Sequence, residues 1–148
     1  MREIKFRGKP TENNTSYIEE GAFVYGALIV CDNKYYIALN VNDNINRDDY
    51  EVYMIEVIPE TVGQYTGLKD KNEEEIYEGD IVAIQFQRAT KSKIALIEYS
   101  EKYAAFIITH TKEIKHENQN LGDYQMENFE VIGNIYDNPE LLGGNNGD

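Results

Sequence analysis

Apolar residues along this chain recur mainly at every second position, the period of a strand rather than the 3.6 of a helix. In Glu3-Ile4-Lys5-Phe6-Arg7-Gly8-Lys9, Ile4 and Phe6 fall on one side, and Lys5, Arg7 and Lys9 fall on the other. Residues 10–20 are polar and rich in Asn and Thr, which predicts a loop. Residues 23–30 and 35–40 are β-rich runs joined by Cys31-Asp32-Asn33-Lys34, a hairpin with Asp32-Asn33 as its turn pair. An Asn/Asp-rich loop is expected over residues 41–49. A strand resumes over 50–58, where Val52 and Met54 alternate only imperfectly with Glu51 and Glu56. That pattern predicts burial on both faces near residues 55–58.

Pro59-Glu60-Thr61-Val62-Gly63-Gln64-Tyr65-Thr66-Gly67 reads as a junction, with two glycines that permit positive φ and a proline that pre-sets a turn. After the charged turn over residues 69–75, the corner Glu78-Gly79-Asp80 leads into strands over 81–86, 92–99 and 103–109. Such spacing is the signature of a meander closing into a small barrel. Residues 112–128 are ambiguous between loop and short helix. A last strand covers 129–136, with Gly133 at a bulge. Asn138-Pro139-Glu140-Leu141-Leu142 predicts one helical turn, with Asn138 as cap and Pro139 at its first position. The expected fold is mainly β with little helix. An N-terminal β subdomain spans residues 1–65, a small SH3-like β-barrel spans 66–142, and 143–148 form a flexible tail.

Composition changes this picture in three respects. The formal net charge is −13 in 148 residues, which disfavours duplex DNA and anionic lipid as partners. Twelve Tyr and five Phe supply the apolar area that a disordered acidic chain lacks. Cys31 stands alone, which rules out an intramolecular disulfide. In the run Leu28-Ile29-Val30-Cys31 it is expected as a small buried hydrophobe. No apolar run follows the charged N-terminal residues and none approaches a membrane span, so a cytoplasmic location is expected.

Candidate chemistry is thin. Glu78 and Asp80 are paired carboxylates, a pattern that serves acid–base catalysis when one of them is desolvated. The simpler account is an Asx-type turn around Gly79. His110 and His116, with Glu113 and Glu117 nearby, offer metal-ligating groups, but a separation of six suits neither one helix face nor one strand face. No nucleophile motif or phosphate loop is present. The chain is therefore expected to use no metal or cofactor and to be no enzyme. Two basic clusters remain against the acidic background. The first is Lys5, Arg7 and Lys9. The second is Arg88, Lys91 and Lys93, flanked by Phe86 and Tyr99. Aromatics beside basic loops suit single-stranded nucleic acid, at about 1–3 kcal/mol per stacked base. The alternatives are a charge-protected edge strand or pairing with an acidic neighbour.

Five blocks taken together resemble a known family, the YopX-like proteins of bacteriophages and prophages. They are Met1-Arg2-Glu3-Ile4-Lys5-Phe6-Arg7-Gly8-Lys9; Phe23-Val24-Tyr25-Gly26; the junction from Pro59 onward to Gly67-Leu68-Lys69-Asp70-Lys71; Glu75-Ile76-Tyr77-Glu78-Gly79-Asp80-Ile81-Val82; and Val131-Ile132-Gly133-Asn134-Ile135-Tyr136-Asp137-Asn138-Pro139-Glu140-Leu141-Leu142. Phe23 stands where the family often has Trp. The resemblance implies a β-rich, oligomeric accessory protein encoded by phages of Gram-positive hosts, and brings no reaction and no catalytic residues. The expected role is a non-enzymatic homo-oligomeric interaction module that binds a host or phage protein. The alternative is a nucleic-acid-binding barrel using hairpin 86–99.

Overall fold

The computed structural model describes residues 1–13, 18–40, 52–110 and 120–143. The loop expected over 41–49, the tail beyond Gly143 and residues 111–119 lie outside them. The chain is mainly β, with two antiparallel sheets and short 3₁₀ turns. Among the described residues neither sheet closes on itself. Two compact units divide the chain, Met1–Tyr65 and Thr66–Asp148.

In the first unit, β1 (Phe6–Gly8), β2 (Val24–Cys31), β3 (Lys34–Asn40), β4 (Val52–Val57) and the first half of β5 (Gly63–Lys69) lie in the order β4-β3-β2-β1-β5. The β2–β3 hairpin forms around Asp32 and Asn33, whose φ angles of 49° and 62° are those of a type I′ turn. That turn matches the right-handed twist of its strands, and Asp and Asn tolerate positive φ better than most residues. The register pairs Leu28 with Ile37 and Ile37 with Ile55, so these three share one face. With Val24, Phe6 and Val57 they form the core of the unit, in which Ile37 and Val57 are fully buried. The 3₁₀ turn Pro59–Thr61 follows β4 and brings Thr61 inward, where its hydroxyl accepts from the Lys9 amide at 2.9 Å.

Three expectations are corrected in this unit. Ile4 precedes β1 and is 64% exposed, because pairing begins only at Phe6. Cys31 is exposed: it ends β2 on the face opposite Leu28, at the hairpin rim. The residues read as a junction do turn at Pro59–Thr61, but they also supply a strand, β5, which pairs with β1 through Phe6–Gln64 and Arg7–Gly63.

In the second unit the rest of β5 pairs with β6 (Glu75–Tyr77), and a four-stranded sheet follows. Its strands β7 (Asp80–Ile84), β8 (Lys93–Ser100), β9 (Ala105–His110) and β10 (Phe129–Asn134) lie in the order β10-β7-β8-β9. The predicted meander is therefore present as β7-β8-β9. The register of β10 on β7 shifts between Val131 and Gly133, which is the bulge expected at that glycine. The core is thicker than that of the first unit: Ile76, Val82, Ile84, Ile97, Leu121 and Phe129 are each at most 1% exposed. Two short 3₁₀ turns, Leu121–Asp123 and Met126–Asn128, lead into β10.

Candidate interaction surfaces

Two aspartates are buried in the second unit, and both serve turns. Asp70 is 3% exposed. Its Oδ1 accepts from the amides of Asn72 at 2.8 Å and Glu74 at 3.0 Å, and its Oδ2 accepts from the Val131 amide at 2.9 Å. One carboxylate thus closes the turn between β5 and β6 and fastens it to β10. Lys71 adds a backbone bond to Phe129 and an ion pair with Glu130 at 2.9 Å. Asp80, 2% exposed, accepts from the Tyr77 amide at 2.8 Å, three residues back, so it closes the Glu78-Gly79-Asp80 corner from its far end instead of forming the expected Asx turn, which bonds two residues on. Gly79 takes φ 85° there, and its amide donates to the Ile97 carbonyl at 2.8 Å. In both cases carboxylate oxygens are engaged with backbone amides that fix a turn.

The segment after β10 is built in the same way. Asn134 Oδ1 accepts from the amides of Tyr136 and Asp137 at 3.0 and 2.9 Å. Asn138 does not cap the 3₁₀ turn Pro139–Leu142 as expected. Its Oδ1 faces back to the Asn134 amide at 3.3 Å, beneath Gly133, where any Cβ would come within 2.5 Å of it.

The basic candidates are dispersed. Arg7 is 5% exposed, because β1 is flanked by β2 and β5 and its guanidinium lies 4.2 Å from the Phe23 ring centre. The solvent-facing strip inferred for Lys5, Arg7 and Lys9 is corrected accordingly. Lys9 also lies over Phe23, and its ammonium donates to the Gly21 carbonyl at 2.7 Å; Lys5 lies over Tyr65 and bridges Glu3 at 3.2 Å. In the second unit Arg88 and Lys91 are exposed on the loop between β7 and β8, with Arg88 at φ 70°. Lys93 lies 5.7 Å from the ring centre of Phe86, which itself packs edge-on against Tyr124 beside the core. Tyr99 is six residues further along β8, on the order of 20 Å away at strand rise, where it packs edge-on with Phe106. Basic loop and Tyr99 therefore do not form one surface. His116 and the side chain of His110 lie outside the described residues, and so does the question of their pairing.

A different surface stands out in the first unit. Residues on the face of β2-β3-β4 away from the core are mostly apolar. The register sets Ala27 opposite Ala38 and Ala38 opposite Met54, with Ile29 opposite Tyr36 in the next row. Tyr25 is 45% exposed, Met54 48% and Val52 62%. Val52 and Met54 are on the outside because Ile55 and Val57 hold the core side of β4, and the burial expected on both faces near 55–58 is corrected by Ile58, which is 40% exposed. Val30 and Tyr53 are exposed on the other face as well, at 55% and 48%; what sets the outer face apart is the run Ala27-Ala38-Met54 of small and apolar residues across three strands, a candidate contact surface.

The match to known proteins spans this whole architecture. The chain matches the family described as YopX protein over residues 5–143. It belongs to the YopX family. A solved structure, that of protein EF1440 from Enterococcus faecalis, is similar at 22% identity with a TM-score of 0.54, covering 96% of this chain and 99% of that one. At that identity the likeness speaks for the fold. No curated protein matches. The blocks that carry the YopX resemblance coincide with the joints just described: Asp70, the Gly79-Asp80 corner, and Gly133 through Asn138. They encode how a YopX chain turns. The outer face of β2-β3-β4 lies largely outside those blocks, and only a two-sided apolar pattern in β2 and β4 signals it in the sequence.

Proposed function

We propose that this YopX-family protein is a non-catalytic, self-associating interaction module of a phage or prophage, acting in the host cytoplasm on a host or phage protein. The observation that carries the reading is the apolar outer face of β2-β3-β4 on a chain whose net charge is −13. A strongly acidic protein stays soluble without exposing Tyr, Met and Val together, so their clustering on one face is best explained by a covering partner. The buried carboxylates add support from the other side, since Asp70 and Asp80 are engaged in turns. Among the described residues no group of three or more His, Cys, Asp or Glu is arranged to hold a metal ion, and no helix is long and apolar enough to cross a membrane.

The finer reading of the second unit as an SH3-like barrel rests on its β7-β8-β9 meander, with β10 against β7. The nucleic-acid reading draws less support, since Phe86 is taken up beside the core and Tyr99 stands far from Arg88 and Lys91. The test is co-purification of tagged protein from host and phage-infected lysates. The Tyr25→Lys variant is expected to lose a stoichiometric companion that wild type retains, and an Arg88→Glu, Lys91→Glu variant is expected to keep it. Companion proteins retained by Tyr25→Lys but lost by the basic-loop variant would reverse the assignment.

A further inference from the structure

We infer that the outer face of β2-β3-β4 is the contact between two copies of this chain; this rests on the interaction-module reading and names the occupant of its surface. Shape favours a second copy. Ala27 and Ala38 lie opposite one another and make a shallow trough, while the half-buried Tyr36 and the exposed Met54 rise beside it. Two sheets packed face to face interdigitate large and small side chains at a separation of about 10 Å. A two-fold axis running between the Ala27-Ala38 row and the Ile29-Tyr36 row sets Tyr36 of one copy over Ala38 of the other, and the reverse follows by symmetry. An unrelated partner would have to evolve that relief, whereas a second copy carries it already.

Charge favours the same occupant. Between Val24 and Asn40, and along β4, the charged residues are Asp32, Lys34 and Glu56, and Lys34 pairs with Glu56 at 3.7 Å. Few of the chain's 27 acidic residues lie in these strands, so two molecules of charge −13 meet across them with little local repulsion. What repulsion remains is long-range and screened by salt, so this contact tightens as ionic strength rises. A contact held by ion pairs does the opposite. A contact through one face of three short strands is a weak one, with an expected affinity on the order of micromolar.

The experiment is sedimentation equilibrium of the full chain from about 1 to 100 μM, spanning that affinity range, in low and high sodium chloride. Wild type is expected to form a dimer whose dissociation constant falls several-fold as salt rises. Ala27→Lys and Met54→Lys are each expected to weaken it at least tenfold while circular dichroism and melting stay as in wild type. Met54→Lys at an exposed position covers the case in which Ala27→Lys misfolds. Val30→Lys is the control, being 55% exposed on the opposite face of the same strand, and should leave the dimer intact. Association that survives both face variants, or that weakens with salt, overturns the inference and leaves the module reading standing. A monomeric wild type that still captures a lysate protein through Tyr25 also overturns it while sparing the module reading's foreign partner. A monomer with no companion overturns both.

Discussion

The two units use the same raw materials in opposite ways. The second unit turns polar groups inward: Asp70 and Asp80 are almost fully buried, and each oxygen with an observed partner faces a backbone amide that a turn would otherwise leave unmet. Its apolar side chains gather in one thick core around Phe129 and Ile97. The first unit has a slimmer core around Val24, Ile37 and Val57, and leaves Tyr25, Val52 and Met54 to the solvent. The contrast separates stability from recognition. One half of the chain is specified by internal locks, and the other exposes apolar area that the proposed reading assigns to a partner.

The largest effect that tests this contrast is in the second core. Phe129→Ala should cost about 3–5 kcal/mol, as truncation of a buried aromatic does, with a matching fall in the urea midpoint. Tyr25→Ala should stay within about 0.5 kcal/mol, although it disturbs association. Equal losses in the two variants would dissolve the distinction between the units. Next comes the lock itself. Asp70→Ala leaves three amides without their acceptor, and at about 1–3 kcal/mol for a buried unsatisfied donor, discounted for water reaching the turn, should cost about 2–3 kcal/mol. Hydrogen exchange should show the loss at Asn72, Glu74 and Val131 first. A neutral result would mean that the turn holds itself.

Gly133→Ala is smaller, about 1–2 kcal/mol from overpacking, because the added methyl comes within 2.5 to 3.0 Å of Asn138 Oδ1, Cγ and Cβ. Asn138→Ala in the same background should recover part of that cost. The smallest effect concerns Tyr124, whose phenol is held above its ordinary value near 10 by burial and by the Asp123 carboxylate beside it. The folded state then binds the phenolic proton more tightly than the unfolded chain does. This contribution is complete below pH 10 and is lost as pH rises toward the folded-state value. Tyr124→Phe should flatten the alkaline limb of the stability curve, and an unchanged limb would show that the phenol is solvated.

Much of this was legible where local rules act alone. Asp32-Asn33 announces a hairpin because few other pairs accept two positive φ angles, and the β7-β8-β9 meander shows in its turn spacing. The glycine bulge at position 133 is visible for the same reason. Strand β5 is hidden because Pro59, Gly63 and Gly67 look like punctuation, while its pairing with β1 is decided by residues almost sixty positions earlier. The outer face is hidden because both faces of β4 carry apolar residues, so alternation cannot say which is inside. Cys31 is misjudged for a related reason: its apolar neighbours suggest burial, but it ends the strand at the rim. Arg7 looks like a surface charge, and only the flanking strands and the Phe23 ring draw it in.

The bond from Val131 to Asp70 has a temporal side. Its partners are 61 residues apart, and at about 5–20 residues per second of synthesis the later one follows the earlier by about 3–12 s. Asp70 can gather the amides of Asn72 and Glu74 as soon as the turn leaves the ribosome, but its other oxygen waits in water for β10. The first unit, whose strands are all present by Tyr65, has that interval to itself. On a polysome its apolar outer face is exposed beside identical nascent chains before the second half of the molecule can close. The inferred pairing of copies and completion of the fold thus compete on the same clock, and the distance in sequence between Asp70 and Val131 sets how long the first has before the second begins.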